Sequence, residues 1–278
     1  MIRFFDGGMG SMLNLAAGEL PEKLNISEPE RVFAVHKGYA DAGAEFITAN
    51  TFGANSLKYD NVDELVKAGV ALAKKAGKYV ALDIGPTGKL LKPMGDLEFE
   101  RAVELFAEVV RAGKDGSDVA IIETMSDMYE LKAAVIAVKE NSDLPIITSM
   151  IFDESGRLLT GGDVKSAVAM LEGLRVDAIG FNCGLGPKQM IPLVKELREC
   201  TSLPILVMPN AGLPESVDGK TVYNVSPDEF AQDMRKIAKL GVSILGGCCG
   251  TTPKHIAKMI ELCKDIPDNV PEKKNDTV

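Results

Sequence analysis

The chain of 278 residues contains no tryptophan, and its aromatic residues amount to only 5%. Little material is therefore present for an aromatic cage around a quaternary ammonium group. Positive charge is also short: 31 lysines and arginines stand against 40 acids, for a net charge of -9. Nucleic acid and anionic membranes both select clustered positive charge, so neither is expected as a partner. No apolar run approaches the roughly 20 residues that span a bilayer. The N-terminus, Met1-Ile2-Arg3-Phe4-Phe5-Asp6, meets an acid before any signal-type apolar region forms. The expected compartment is the cytoplasm, where five cysteines stay reduced and favour metal binding or catalysis over disulfides. Only two histidines occur, His36 and His255; both fall in helical patterns and read as structural. No Gly-x-Gly-x-x-Gly turn follows the first apolar segment, which argues against a dinucleotide-binding open sheet.

What is present is a repeating order. Hydrophobic residues make up 46% of the chain and charged residues 26%, enough for a sizeable core in a globular protein. Eight short apolar segments recur, each followed by a helical pattern: Arg3–Phe5, Glu45–Thr51, Tyr79–Ile84, Val119–Glu123, Pro145–Phe152, Ala178–Cys183, Pro204–Met208 and Val242–Gly246. Most are rich in Val, Ile or Phe, as strands buried on both faces are. Start signals precede several helices: Asp163 before Val164, Ser226 before Pro227-Asp228-Glu229, and Thr252 before Pro253. Eight such units in one chain predict a single-domain (β/α)8 barrel over residues 1–264. From Asp265 onward the composition is polar, and 265–278 reads as a frayed tail or linker stub.

Chemistry in such barrels sits at the carboxyl ends of the strands. Those ends carry Asp6, Asn50 with Thr51, Asp83, Glu123, Ser149, Cys183, Asn210, and the adjacent Cys248 and Cys249. Three thiols at the ends of two strands suggest a metal site with one coordination position open. Adjacent residues on a strand face opposite ways, so Cys248 and Cys249 share one metal only if the backbone leaves strand geometry. Gly246, Gly247 and Gly250 supply that freedom. The plainer reading makes the three cysteines small buried hydrophobes, which Cys200 and Cys263 in helical segments fit well; a reversible vicinal disulfide is a third. Asp6 opens the turn Asp6-Gly7-Gly8-Met9-Gly10-Ser11, whose free N–H groups suit a carboxylate, or which is simply a tight turn. Glu123 ends an apolar run; it needs either a ligand ammonium or an internal cation. Gly85-Pro86-Thr87-Gly88 reads as a loop turn.

Together, Asp6-Gly7-Gly8-Met9-Gly10, Asn50-Thr51-Phe52, Ile121-Ile122-Glu123-Thr124, Asn182-Cys183, Pro209-Asn210-Ala211-Gly212-Leu213-Pro214 and Gly246-Gly247-Cys248-Cys249-Gly250-Thr251-Thr252-Pro253 resemble the homocysteine S-methyltransferase family. Within it the resemblance is to the homocysteine-binding module of cobalamin-dependent methionine synthases, over Phe4 to Ile260. Gly8 and Ser11 depart from the family's usual turn. The resemblance implies a (β/α)8 barrel with Zn²⁺ on Cys183, Cys248 and Cys249, completed by the homocysteine sulfur. It implies that Asn210 can hold the metal when substrate is absent. It places Glu123 and Asp6 near the substrate amino group and Gly7 and Gly8 near its carboxylate.

The implied reaction is attack of a zinc-bound homocysteine thiolate on a methyl donor, giving methionine. A free thiol has a pKa near 8.5, and coordination removes its proton. Three protein thiolates give the site a formal charge of about -1, which leaves the bound sulfur nucleophilic. The expected donor is a methylcorrinoid on a separate corrinoid protein, or on corrinoid and folate modules lying outside this chain, not bound stably by this chain alone. A small donor such as a methyl-sulfonium compound or betaine is the alternative. Two remoter readings are a phosphate-handling barrel using Gly246-Gly247 and the following helix N-terminus, and a non-catalytic zinc-binding module.

Overall fold

A computed structural model describes residues 1–15, 18–217 and 220–267. Eight parallel strands form the sheet: β1 (Arg3–Phe4), β2 (Phe46–Thr48), β3 (Tyr79–Ile84), β4 (Val119–Met125), β5 (Ile146–Met150), β6 (Ala178–Asn182), β7 (Ile205–Met208) and β8 (Ile244–Leu245). From β2 to β8 each strand pairs with the next, and β8 pairs with β1. A bridge between Phe5 and Phe46 joins β1 to β2, supported by Glu45 N–H donating to Phe4 O at 2.8 Å. The sheet is thus closed as the (β/α)8 barrel that the eight apolar segments predict. All eight strands arise in those segments, although β4 runs two residues beyond Glu123.

The uninterrupted apolar runs exist because the barrel has two cores. Inside it lie Phe5, Ala81, Ile121, Ile147, Leu206 and Ile244. Their chain neighbours, such as Val80, Leu82, Ala120 and Ile122, face outward into a larger core beneath the helices. Alternate side chains of one strand therefore fill different cores, so the strands are mainly apolar on both faces. At the closure seam Phe46 lies stacked between Phe5 and Tyr79, with ring centroids 4.7 and 5.1 Å away. The Arg3 guanidinium covers the outer end of this stack at 5.4 Å.

The expected helix starts hold. Asp163 caps Val164–Gly173 with Ser166, Ser226 caps Pro227–Ala238 with Glu229, and Thr252 caps Pro253–Cys263 with His255. Each box satisfies backbone N–H groups that have no partner within the helix. His255 is structural, as expected: Nδ1 accepts from Thr252 N–H, so Nε2 carries the proton it donates to Val225 O at 3.0 Å. His36 is fully buried, and desolvation pushes it down to about 4, so it stays neutral. Cys263 is fully buried, whereas Cys200 is only partly so.

Two features differ from the expectation. A small antiparallel hairpin, Glu215–Val217 with Lys220–Val222, follows β7; three-residue polar strands carry no periodicity that reveals them. The packed chain also runs past Asp265, since Ile266 rests on the main core. The rest of the expected tail, 268–278, lies outside the described residues. Among the described residues, no helix is long and apolar enough to cross a membrane.

Candidate metal and substrate site

Loops at the carboxyl ends of the strands surround a pocket of about 370 Å³. On its wall are Cys183, Cys248 and Cys249, whose Sγ atoms all lie within 4.8 Å of one another. Cys183 and Cys249 are 3.9 Å apart, and Cys248 and Cys249 are 4.0 Å apart. Hydrogen bonds between neighbouring loops create this convergence. Cys183 N–H donates to Met208 O, Cys248 N–H to Pro209 O, and Ala211 N–H to Cys249 O, at 2.8–3.1 Å. Gly247 N–H donates to Asp6 O at 2.9 Å. The chain leaves strand geometry after Leu245, which is how two adjacent cysteines come to share one centre. Gly250, at φ +77°, completes the turn with the Tyr223 ring where a Cβ would stand.

The thiols act as a unit. Hydrogen bonds from Cys183 and Cys248 draw Cys249 down to about 3. Hydrogen bonding to Cys183 and Cys249, with burial, pushes Cys248 up. For Cys183 the Cys248 contact lowers the value, but the Cys249 contact and burial outweigh it and push it up to about 12. Both neighbours thus favour a thiolate on Cys249, and a bound cation would favour the loss of all three protons.

Four carboxyls share the pocket wall: Asp6, Glu22, Asp83 and Glu123. Among the described residues, no lysine, arginine or histidine lines it. Asp6 is buried and committed to Thr48, accepting from its N–H at 2.8 Å and its hydroxyl at 2.7 Å. Burial nonetheless raises it to about 7, the Thr48 bonds opposing that rise. Glu123 is raised to about 8 by desolvation, then by the charges of Asp6 and Cys249. The register of β4 shifts between Ile122 and Met125, and Thr124 adopts φ +60°. This irregularity turns Glu123 toward the pocket where a regular strand would continue. Asp83 is raised well above its ordinary value by burial and by Glu123, Glu22 and Asp6, and its Oδ1 has no hydrogen-bond partner.

Glu22 is absent from the strand-end residues because it lies on a 3₁₀ turn, Pro21–Lys23, in the long connection after β1. Its oxygens accept from Gly53 N–H and the Tyr59 hydroxyl, both at 2.6 Å. Asn50 holds the same turn by donating to Pro21 O at 2.8 Å. The only local trace of this arrangement is an acid beside a proline, too common to single out.

The Gly7–Gly8 turn lies on the wall, but its glycines answer to packing. A Cβ on Gly7 would meet Thr251 Oγ1 at 2.5 Å, and one on Gly8 would meet Cys248 O at 2.6 Å. Gly8 N–H already donates to Thr251 Oγ1 at 3.1 Å and so is not the free donor a carboxylate requires. Asn210 is buried outside the pocket wall, and its Oδ1 is unpartnered. Ser149 points to Asn182, at 2.6 Å, and not to the pocket. Thr87 of the Gly85–Gly88 turn is locked to Glu130 at 2.6 Å, a structural latch.

The family model of homocysteine S-methyltransferase matches residues 3–263. Methionine synthases of Mycobacterium leprae and Mycobacterium tuberculosis are each 32% identical across 94% of this chain, but only 24% of their own length. The chain thus spans about a quarter of the curated relatives it matches. Among solved structures, the metallated form of the homocysteine methyltransferase MmuM from Escherichia coli superposes with a TM-score of 0.78 at 23% identity, covering 93% of this chain and 95% of that one. Its apo form gives 0.74 at 25% identity, covering 94% and 95%. The carboxyl transferase domain of Rhizobium etli pyruvate carboxylase, at 14% identity and a TM-score of 0.52 over 89% of this chain and 39% of that one, shares the fold alone. With a match that runs through every barrel strand and includes all three thiols, the chain belongs to the homocysteine S-methyltransferase family.

Proposed function

We propose that the chain is a zinc-dependent homocysteine S-methyltransferase unit that methylates the substrate sulfur to give methionine. One observation carries the reading: three thiols from two strand ends converge in a pocket whose charged wall groups are all acidic. Three sulfur donors with one place open suit Zn²⁺ at a reactive site. The unpartnered Oδ1 of buried Asn210, in the loop hydrogen-bonded to the cysteine pair, supports a ligand role when substrate is absent. Zinc held by Cys183, Cys248 and Cys249 would supply the positive charge that makes the homocysteine thiol a thiolate at neutral pH.

The remaining roles fall to the chain's own groups. Glu123, which lines the pocket and has no hydrogen-bond partner among the described residues, accepts the substrate ammonium. Asp6 adds negative charge but is oriented by Thr48. The Gly7–Gly8 turn, tied to Thr251, stays packed beside the cysteine loop and bounds the substrate space without donating to the substrate's carboxylate. The reduced thiols this chemistry requires suit the cytoplasm.

The donor we propose is a methylcorrinoid carried by a separate protein or by modules beyond this stretch, as the likeness to a quarter of methionine synthase suggests. A small methyl-sulfonium donor is the second reading, favoured by the acidic pocket wall, which suits a cation. Betaine fits poorly: Phe52 is the one aromatic on the wall among the described residues, and Tyr39 and Tyr59 are buried in hydrogen bonds elsewhere. A phosphate site fits poorly beside four carboxyls.

X-ray absorption with and without homocysteine tests the site, and three sulfur ligands should become four. Turnover with methylcobalamin, a sulfonium compound and betaine separates the donors. A Cys249→Ala protein that keeps stoichiometric zinc and full turnover would overturn the proposal.

A further inference from the structure

Asn182, the last residue of β6, is fully buried and makes four hydrogen bonds. Its Oδ1 accepts from Thr124 N–H at 2.9 Å and from the Ser149 hydroxyl at 2.6 Å. Its Nδ2 donates to Thr124 Oγ1 at 2.7 Å and to Cys248 Sγ at 4.0 Å, the long limit for such a contact. A backbone N–H can only donate, so the Thr124 contact fixes which end of the amide is oxygen. The nitrogen must then face the cysteine pair.

The two residues flanking this amide, in chain and in space, are unusual. Thr124 lies at φ +60° and Cys183 at φ +56°, a region that side-chain-bearing residues seldom enter. Such conformations persist where surrounding contacts over-determine them, and they cluster at functional sites. Thr124 directly follows Glu123, and Cys183 directly follows Asn182. One side chain thereby spans the carboxylate on β4, the thiol after β6 and the thiol after β8.

We propose that Asn182 is a positioning residue that aligns Cys248 with Cys183 and holds the Glu123–Thr124 bulge, so that the metal and ammonium subsites keep a fixed separation. The role depends on the metal reading of the three thiols above. An N–H donor on a ligand sulfur also tempers its electron donation to the metal, as outer-shell partners of metal ligands do.

Co²⁺ is the probe, since its thiolate charge-transfer band reports both the number and the basicity of the sulfur ligands. In Asn182→Ala we expect Co²⁺ affinity, measured against a competing chelator, to fall by about 10–100-fold. The charge-transfer band should shift, and more homocysteine should be needed to perturb it. Should Asn182→Ala fail to fold, Asn182→Asp serves. It keeps both acceptor contacts of the amide oxygen, loses both donors, and should shift the band as well. Folded variants with unchanged Co²⁺ affinity, band position and homocysteine response overturn the role of Asn182 alone. Failure of the unsubstituted protein to form a cobalt–thiolate band overturns this role and the metal reading together.

Discussion

At Asp83 the environment, not the residue type, sets the chemistry. A carboxylate buried among Asp6, Glu22 and Glu123 and lacking a partner for Oδ1 costs energy when charged, which pushes it well above its ordinary value. Asp6 and Glu123 follow, rising to about 7 and about 8 from 3.8 and 4.5. Between those ordinary and raised values the native state binds protons that the unfolded chain releases. These carboxyls should therefore make the stability of the metal-free protein fall as pH rises from about 4 to about 8, by up to ~1.4 kcal/mol per pH unit for each proton retained, with the lowered Cys249 offsetting one such proton. Asp83→Asn should flatten that slope and stabilise the metal-free protein at pH 8 by about 1–3 kcal/mol. Urea unfolding at pH 5 and pH 8 measures both, and a slope unchanged by the substitution would refute the assignment.

Among the helices, local sequence and observed structure agree most closely where a side chain satisfies its own neighbourhood. Asp163, Ser226 and Thr252 each cap the helix that their position announces, because capping needs only residues within one turn. The helix Pro227–Ala238 sends no side chain to the pocket. Ser226→Ala should therefore cost about 1 kcal/mol in thermal or urea unfolding and leave metal content and homocysteine binding unchanged. A loss of bound metal in that variant would show that the helix does more than buttress the barrel. The bulge in β4 is the contrasting case: nothing in Ile121-Ile122-Glu123-Thr124 announces it, since it exists to meet Asn182, 58 residues away.

Across the whole molecule the thiols link distant parts of the chain. Cys183 and Cys249 are separated by 66 residues and sit after β6 and β8. Metal bound there ties the two together in the native state only, so it should stabilise the fold by mass action, by about 4 kcal/mol at a free metal concentration a thousandfold above Kd. Thermal unfolding with zinc and with excess chelator checks this; a midpoint indifferent to chelation would count against a shared site. Phosphate should not replace the metal effect, because the wall that surrounds the thiols is acidic.

Sequence alone determined the eight-fold alternation, the strand segments, the helix starts and the strand-end positions of Asp6, Glu123 and the three cysteines. Those depend on periodicity and on interactions within a few residues. Tertiary structure alone decided the rest. It placed Glu22 on the wall, joined Gly8 N–H to Thr251 across 243 residues, left Asp83 and Asn210 each with an unpartnered oxygen, and gathered Thr124, Ser149 and Cys248 around Asn182. The physical reason is barrel closure. It brings the ends of strands far apart in the chain within hydrogen-bonding distance, and a buried polar group takes its partner, its charge state and its orientation from that neighbourhood and not from its own segment.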